Sequence, residues 1–141
     1  MIESIDSIQI IGTQRSGSNL LRLMLNQYEE ISATHPPHVL KSFAQFIKHY
    51  GDLTIDRNFM LLAQDIADFV NANPVPWSGA LIEPQKLIQK ARHNSLLSLY
   101  ETLYQLKAEA DKADIWCCKS MFNEYYAREI EAEGIRPFYI Y

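Results

Sequence analysis

The sequence predicts an α/β fold: a P-loop-like parallel sheet flanked by helices, breaking off after its fourth strand. Three observations carry that prediction. Short apolar runs of β type alternate with longer stretches of helical periodicity along the chain. The first run passes through a small polar loop straight into an amphipathic stretch. No repeat, low-complexity tract or linker divides the chain, so residues 1–141 read as one unit. At 141 residues, with 48% hydrophobic and 21% charged, the chain is large enough for a real core.

The elements follow in order. Residues 7–12, with Ile8, Ile10 and Ile11, read as a buried strand. Residues 19–28 read as a helix with Leu20, Leu21, Met24, Leu25 and Tyr28 along one stripe. Residues 31–34 form a short second strand, and Pro36-Pro37 interrupts. A helix is expected over 38–50, ended by Gly51-Asp52. Asp56 caps the next helix, which runs to 71 with Phe59, Leu62, Ala63, Ile66, Phe69 and Val70 inward. Asn73-Pro74-Val75-Pro76 is a stop. Pro84 suits the first turn of a helix through Leu87, Ile88 and Ala91. Asn94-Ser95 caps a longer helix carrying Leu96, Leu99, Tyr100, Leu103 and Leu106, with a polar, solvated end at 109–112. Residues 114–119 read as the third strand. A helix with Phe122, Tyr126 and Ile130 in register follows, and Gly134 closes it. Residues 137–141 are the last strand.

In such a fold, parallel pairing with right-handed crossovers is expected, and ligands bind outside the carboxyl ends of the strands. Residues 13–19, those after Thr34, and Lys119-Ser120 should then gather at one edge. The first loop, Gly12-Thr13-Gln14-Arg15-Ser16-Gly17-Ser18-Asn19, has the composition of an anion site. Glycines let the backbone curl around a phosphate, and a helix start offers free N–H groups and a favourable dipole. Arg15 adds a permanent charge with a donor fork that suits phosphate or sulfonate. A strand-to-helix turn capped by Ser18, with Arg15 solvated, is the plainer alternative. It needs neither the glycine nor the internal arginine.

Gly12 and Gly17 reproduce the G-x-x-x-x-G frame of a nucleotide P-loop, but Ser18 and Asn19 stand where Lys and Ser/Thr would be. The positive charge has moved inside the loop, to Arg15. This pattern, with Ser16, Gly17, Ser18 and the Leu20-Leu21 entry, resembles the sulfotransferase family. The resemblance implies that residues 13–19 (Thr13, Gln14, Arg15, Ser16, Gly17, Ser18, Asn19) hold the 5′-phosphosulfate of 3′-phosphoadenosine 5′-phosphosulfate (PAPS). It implies sulfonate transfer to a hydroxyl or amine, on a small molecule or carbohydrate, without a metal. The family's last matching strand leads into Arg and Ser residues that bind the 3′-phosphate. None is present, so the chain is expected to be the N-terminal part of one sulfotransferase-like domain.

Sulfonate transfer also needs a base. His35-Pro36-Pro37-His38 follows the second strand, and histidine titrates near neutrality. In carbohydrate-type and several bacterial branches of the family a catalytic glutamate stands roughly there. His35 and His38 are therefore candidates, His35 preferred, against a proline-bearing turn that merely starts a helix. Cytosolic sulfotransferases carry Lys-Ser/Thr-His after the matching strand. Here Lys119-Ser120 fits, but Met121 replaces the histidine. Lys119 is carried over as a charge near the sulfonate, against the plainer reading of a strand-end lysine reaching solvent.

Other features read as structure. Cys117 and Cys118 are adjacent and apolar in setting, which suggests one buried side chain on each face of a strand. Trp116, Phe122, Tyr125 and Tyr126 read as core, and His49 and His93 as polar faces of helices. Glu83, Glu101, Glu124 and Glu129 form no paired site. A net charge of −4 argues against a nucleic-acid partner. No run of about 18 apolar residues suggests a membrane span. The N-terminus lacks the basic and apolar regions of a signal peptide, so a cytoplasmic protein is the default. The competing functions are a P-loop kinase or NTPase with a degenerate loop, and a non-catalytic phosphate-binding module.

Overall fold

A computed structural model describes residues 6–13 and 15–141. The strands are β1 (Ser7–Ile10), β2 (Ile31–Ser32), β3 (Ile115–Cys118) and β4 (Pro137–Ile140). The helices are α1 (Ser18–Leu25), α2 (Val39–Ala44), α3 (Asp56–Asn71), α4 (Pro84–Lys90), α5 (Leu96–Ala110) and α6 (Ala127–Ala132). The α/β expectation holds. The four strands pair in parallel in the order β2-β3-β1-β4. β1 is an interior strand, with Ile8 between Cys117 and Phe138.

Alternation along the strands divides the interior in two. Ile8, Ile10 and Cys117 share one small cluster with Ala33 and Met121, against Leu21 and Leu25 of α1. Trp116 and Cys118 point the other way, into the larger core built by α2 to α6. The adjacent cysteines therefore occupy opposite faces, both free and buried. The larger core centres on α5, whose Leu99, Tyr100, Leu103 and Tyr104 are almost wholly excluded from solvent. Burial of each such side chain contributes roughly 2–3 kcal/mol before the cost of ordering it. Ser95 caps α5 by accepting the Ser98 N–H at 3.1 Å, and Pro84 opens α4, both as expected.

Several expectations need correction. The inward face of α1 is Ser18, Leu21, Arg22 and Leu25, whereas Leu20, Met24 and Tyr28 are exposed. The helix carries apolar residues on two stripes, so periodicity alone could not choose between them. The helix expected over 38–50 is α2 followed by a separate 3-10 turn, Ile47–Tyr50. The break lets the Tyr50 hydroxyl reach Asp65 of α3 at 2.7 Å. After Lys119 the chain first makes a 3-10 turn, Met121–Tyr126, and only then α6. Asn123 accounts for this: its side-chain amide is drawn inward, donating to the Tyr100 hydroxyl at 3.0 Å.

Tyr125 is not core but 79% exposed, and Phe69 is exposed at the rim, edge-on to Phe43. Asp56 is the first residue of α3 rather than its cap, where its charge still favours the helix dipole. His93 lies between α4 and α5, off any helix, with Nδ1 2.7 Å from Glu133. Asp111, at the end expected to be solvated, accepts from Ser32 Oγ at 2.6 Å and from Lys107 at 2.7 Å.

Candidate functional site

The loop after β1 is shaped by three residues in the left-handed region: Gly12 (φ 112°), Arg15 (φ 60°) and Gly17 (φ 85°). A Cβ on Gly12 would sit 3.1 Å from the Tyr141 ring. A Cβ on Gly17 would meet nothing, so glycine there serves the backbone angle alone. Ser16 Oγ donates to the Thr13 carbonyl at 2.7 Å and closes the loop. Gly17 is the N-cap of α1, with no side-chain cap. The first intrahelical bond runs from Leu21 N–H to the Gly17 carbonyl, leaving the N–H groups of Ser18, Asn19 and Leu20 without a helical acceptor. The turn is therefore not closed by a Ser18 cap.

Arg15 is exposed, in a strained conformation for a non-glycine residue. Such strain persists where the surroundings enforce it, and it clusters at functional sites. Thr13, Ser16, Gly17 and Asn19 are exposed on the same loop. The Asn19 side chain accepts from Arg22 Nε at 3.2 Å through its Oδ1, which leaves its Nδ2 and its backbone N–H as donors. Gln14 lies outside the described residues.

At the carboxyl ends of the strands, a pocket of about 270 Å³ is lined by Arg15, Ser18, His38, Lys119, Met121 and Phe122. These residues come from three segments that are distant in sequence. No carboxylate is among them. Lys119 is held half-buried by its place at the end of β3, and burial followed by the charge of Arg22 lowers its pKa.

His38 occupies the N-cap of α2 at φ 57°, a second strained residue. Its Nδ1 lies 2.8 Å from the Ser120 hydroxyl, and its ring meets Phe122 edge-on. Ser120 is 1% exposed, so this partner is fixed. Burial lowers the His38 pKa, and the charges of Lys119 and Lys41 lower it further. The ring is thus neutral at physiological pH. If Nδ1–H donates to Ser120, the Nε2 lone pair is free to accept a proton.

His35 is placed differently. It lines a neighbouring groove along β2 rather than the Arg15 pocket. Its carbonyl accepts from Trp77 Nε1 at 2.7 Å, and its Nδ1 is buried without a hydrogen-bond partner among the described residues. Burial, then Arg22 and Lys119, lower its pKa as well.

Sequence reasoning missed two residues. Ser120 was seen only as part of a Lys-Ser pair, although its position directly after Lys119 was a usable signal. Arg22 gave a weaker one: it sits one turn after Ser18, on the face α1 buries.

A parallel sheet, a glycine-bounded loop after an interior strand and an uncapped helix start define a P-loop-like α/β protein. A model described as the sulfotransferase family matches residues 7–133, and the chain belongs to that family. No curated protein and no solved structure matches it.

Proposed function

We propose that the protein is a PAPS-dependent sulfotransferase that acts on a hydroxyl or amine acceptor, a small molecule or a carbohydrate. The observation that supports this best is the convergence of Arg15, Ser18, His38 and Lys119 on one pocket that no carboxylate lines. The open N–H groups of Ser18, Asn19 and Leu20 beside it suit a phosphosulfate. PAPS supplies an activated sulfonate whose leaving group is adenosine 3′,5′-bisphosphate.

The chain's own residues then divide the work. The backbone of residues 16–19 binds the anion. Arg15 aims donors at the bridging oxygen, where negative charge grows as the sulfur–oxygen bond breaks. Lys119 balances charge on the sulfonate oxygens. His38 Nε2 takes the proton from the acceptor as its oxygen or nitrogen bonds to sulfur. Ser120 holds the opposite ring nitrogen and so fixes tautomer and orientation, in the way outer partners orient functional histidines.

The test is transfer of labelled sulfonate from PAPS to a panel of hydroxyl and amine acceptors. The wild-type protein should label at least one acceptor, and His38→Gln should lower the rate about 100-fold or more, the usual range for a lost acid–base group. Labelling that is unaffected in His38→Gln removes the base assignment. Stabilisation by ATP·Mg²⁺ but not by adenosine 3′,5′-bisphosphate would favour a P-loop kinase or NTPase instead.

A further inference from the structure

Beside the Arg15 pocket, along edge strand β2, runs a groove of about 460 Å³. Asn26 and Gln27 at the end of α1, Thr34 and His35 after β2, and Asp111 after α5 form its walls, with Arg22 among them. Arg22 is only 8% exposed. Its Nη1 donates to the Ala33 carbonyl at 2.9 Å and its Nε to Asn19. Among the described residues no carboxylate pairs with it and its Nη2 has no hydrogen-bond partner. A buried guanidinium without a counter-ion is an expensive arrangement, because desolvation is not offset by an opposite charge.

The other charges of the groove are already spoken for or peripheral. Lys107 pairs with Asp111 at 2.7 Å, and Glu29 is exposed at the rim. His35 also lines the groove; its Nδ1 is buried with no hydrogen-bond partner among the described residues, which leaves Nε2 as the one ring nitrogen available to a ligand. Asn26 and Gln27 each spend one polar atom on the backbone, on Ala33 N–H and on the Leu23 carbonyl, and keep the other. One uncompensated cation among neutral donors and acceptors matches a ligand with one anionic group and several hydroxyls.

We propose that this groove binds a hydroxyl-rich carboxylate of the sugar-acid type, with the carboxylate on Arg22, and that this ligand is the acceptor. The two openings are neighbours. Ser18, which lines the Arg15 pocket, lies one turn from Arg22 on α1, and only Pro36 and Pro37 separate His35 from His38 in the chain. A ligand anchored at Arg22 therefore extends towards His38. Its role as acceptor rests on the sulfotransferase reading; its binding does not.

The test is a titration followed by backbone amide NMR, without nucleotide, using a glucuronate-containing disaccharide and its carboxyl-reduced counterpart. The acidic disaccharide should bind at least tenfold more tightly, and the shifts should centre on residues 26–29 and 34–35. Arg22→Lys, which keeps the charge but loses the fork, should weaken it about tenfold. Because Arg22 is buried, the exposed Glu29→Gln is the companion variant: removing negative charge at the rim should tighten the acidic disaccharide and spare the neutral one. Equal affinity for the two disaccharides, or shifts outside the groove, overturns the proposal. Binding of the acidic disaccharide with no response to adenosine 3′,5′-bisphosphate would retain the groove and refute the sulfotransferase reading. The reverse pattern would refute the groove alone.

Discussion

Arg15→Gly should raise stability and lower anion binding in the same molecule. Arg15 holds φ 60° with an exposed side chain, and its guanidinium makes no hydrogen bond or ion pair among the described residues. A left-handed conformation costs an L-residue roughly 1–2 kcal/mol, which glycine avoids. Against this, glycine adds roughly 0.4–1 kcal/mol of unfolded-state entropy. At the midpoints of the two ranges the net gain is about 0.8 kcal/mol. Unfolding entropy near 2.1 cal/mol/K per residue gives about 0.3 kcal/mol/K for 141 residues, so the midpoint should rise by about 2–3 °C. Loss of a charge-assisted donor costs about 1.5–3 kcal/mol of binding, or roughly 10- to 150-fold in Kd. The assay is a thermal scan of both proteins with and without adenosine 3′,5′-bisphosphate. A variant that is less stable than wild type would show that Arg15 is held by contacts and not by function. An undiminished ligand shift would remove it from the anion site.

Two other outcomes follow from buried groups. Burial, with nearby positive charge, lowers the pKa of His35 and His38 in the folded state from their ordinary 6.5, so the unfolded chain binds more protons in the window below that value. Stability is fully present above about pH 6.5 and falls as pH drops through the folded values. Urea midpoints measured from pH 7.5 downwards should show this, with a shallower slope in His38→Gln; an unchanged slope would mean that His38 does not contribute. Burial pushes the Cys117 thiol up to about 12 and raises Cys118 too, so neither is a thiolate at pH 8. An aromatic disulfide reagent should find no reactive thiol in the native protein and both after denaturation; rapid native reaction would contradict the burial.

Much of the fold was legible because its signals are local. Ser95 capping α5, Pro84 opening α4, and the apolar runs of β1 and β3 depend on nearest neighbours in the chain. The adjacent cysteines were legible for the same reason, since neighbouring strand residues must face opposite ways. The failures lie where a distant contact overrides a local preference. Tyr50 reaching Asp65 ends the helix pattern after α2, and Asn123 joining Tyr100 and Gln9 turns the start of the next helix into a 3-10 turn. The buried face of α1 was ambiguous because leucines and methionine populate both of its stripes.

The site divides along the same line. Sequence alone determined the phosphate-loop frame, the charge displaced to Arg15, the resemblance to sulfotransferases and the parallel α/β class, because each is written in consecutive residues or in the order of elements. Only the tertiary structure decided which histidine shares a pocket with Arg15 and Lys119, that Ser120 holds it, and that Arg22 is buried without a counter-ion. Those facts depend on how β3 is inserted between β2 and β1, and on the left-handed turn at His38. Spacing along a chain fixes which residues are near each other on one element; side chains from different elements meet only through the packing of the sheet.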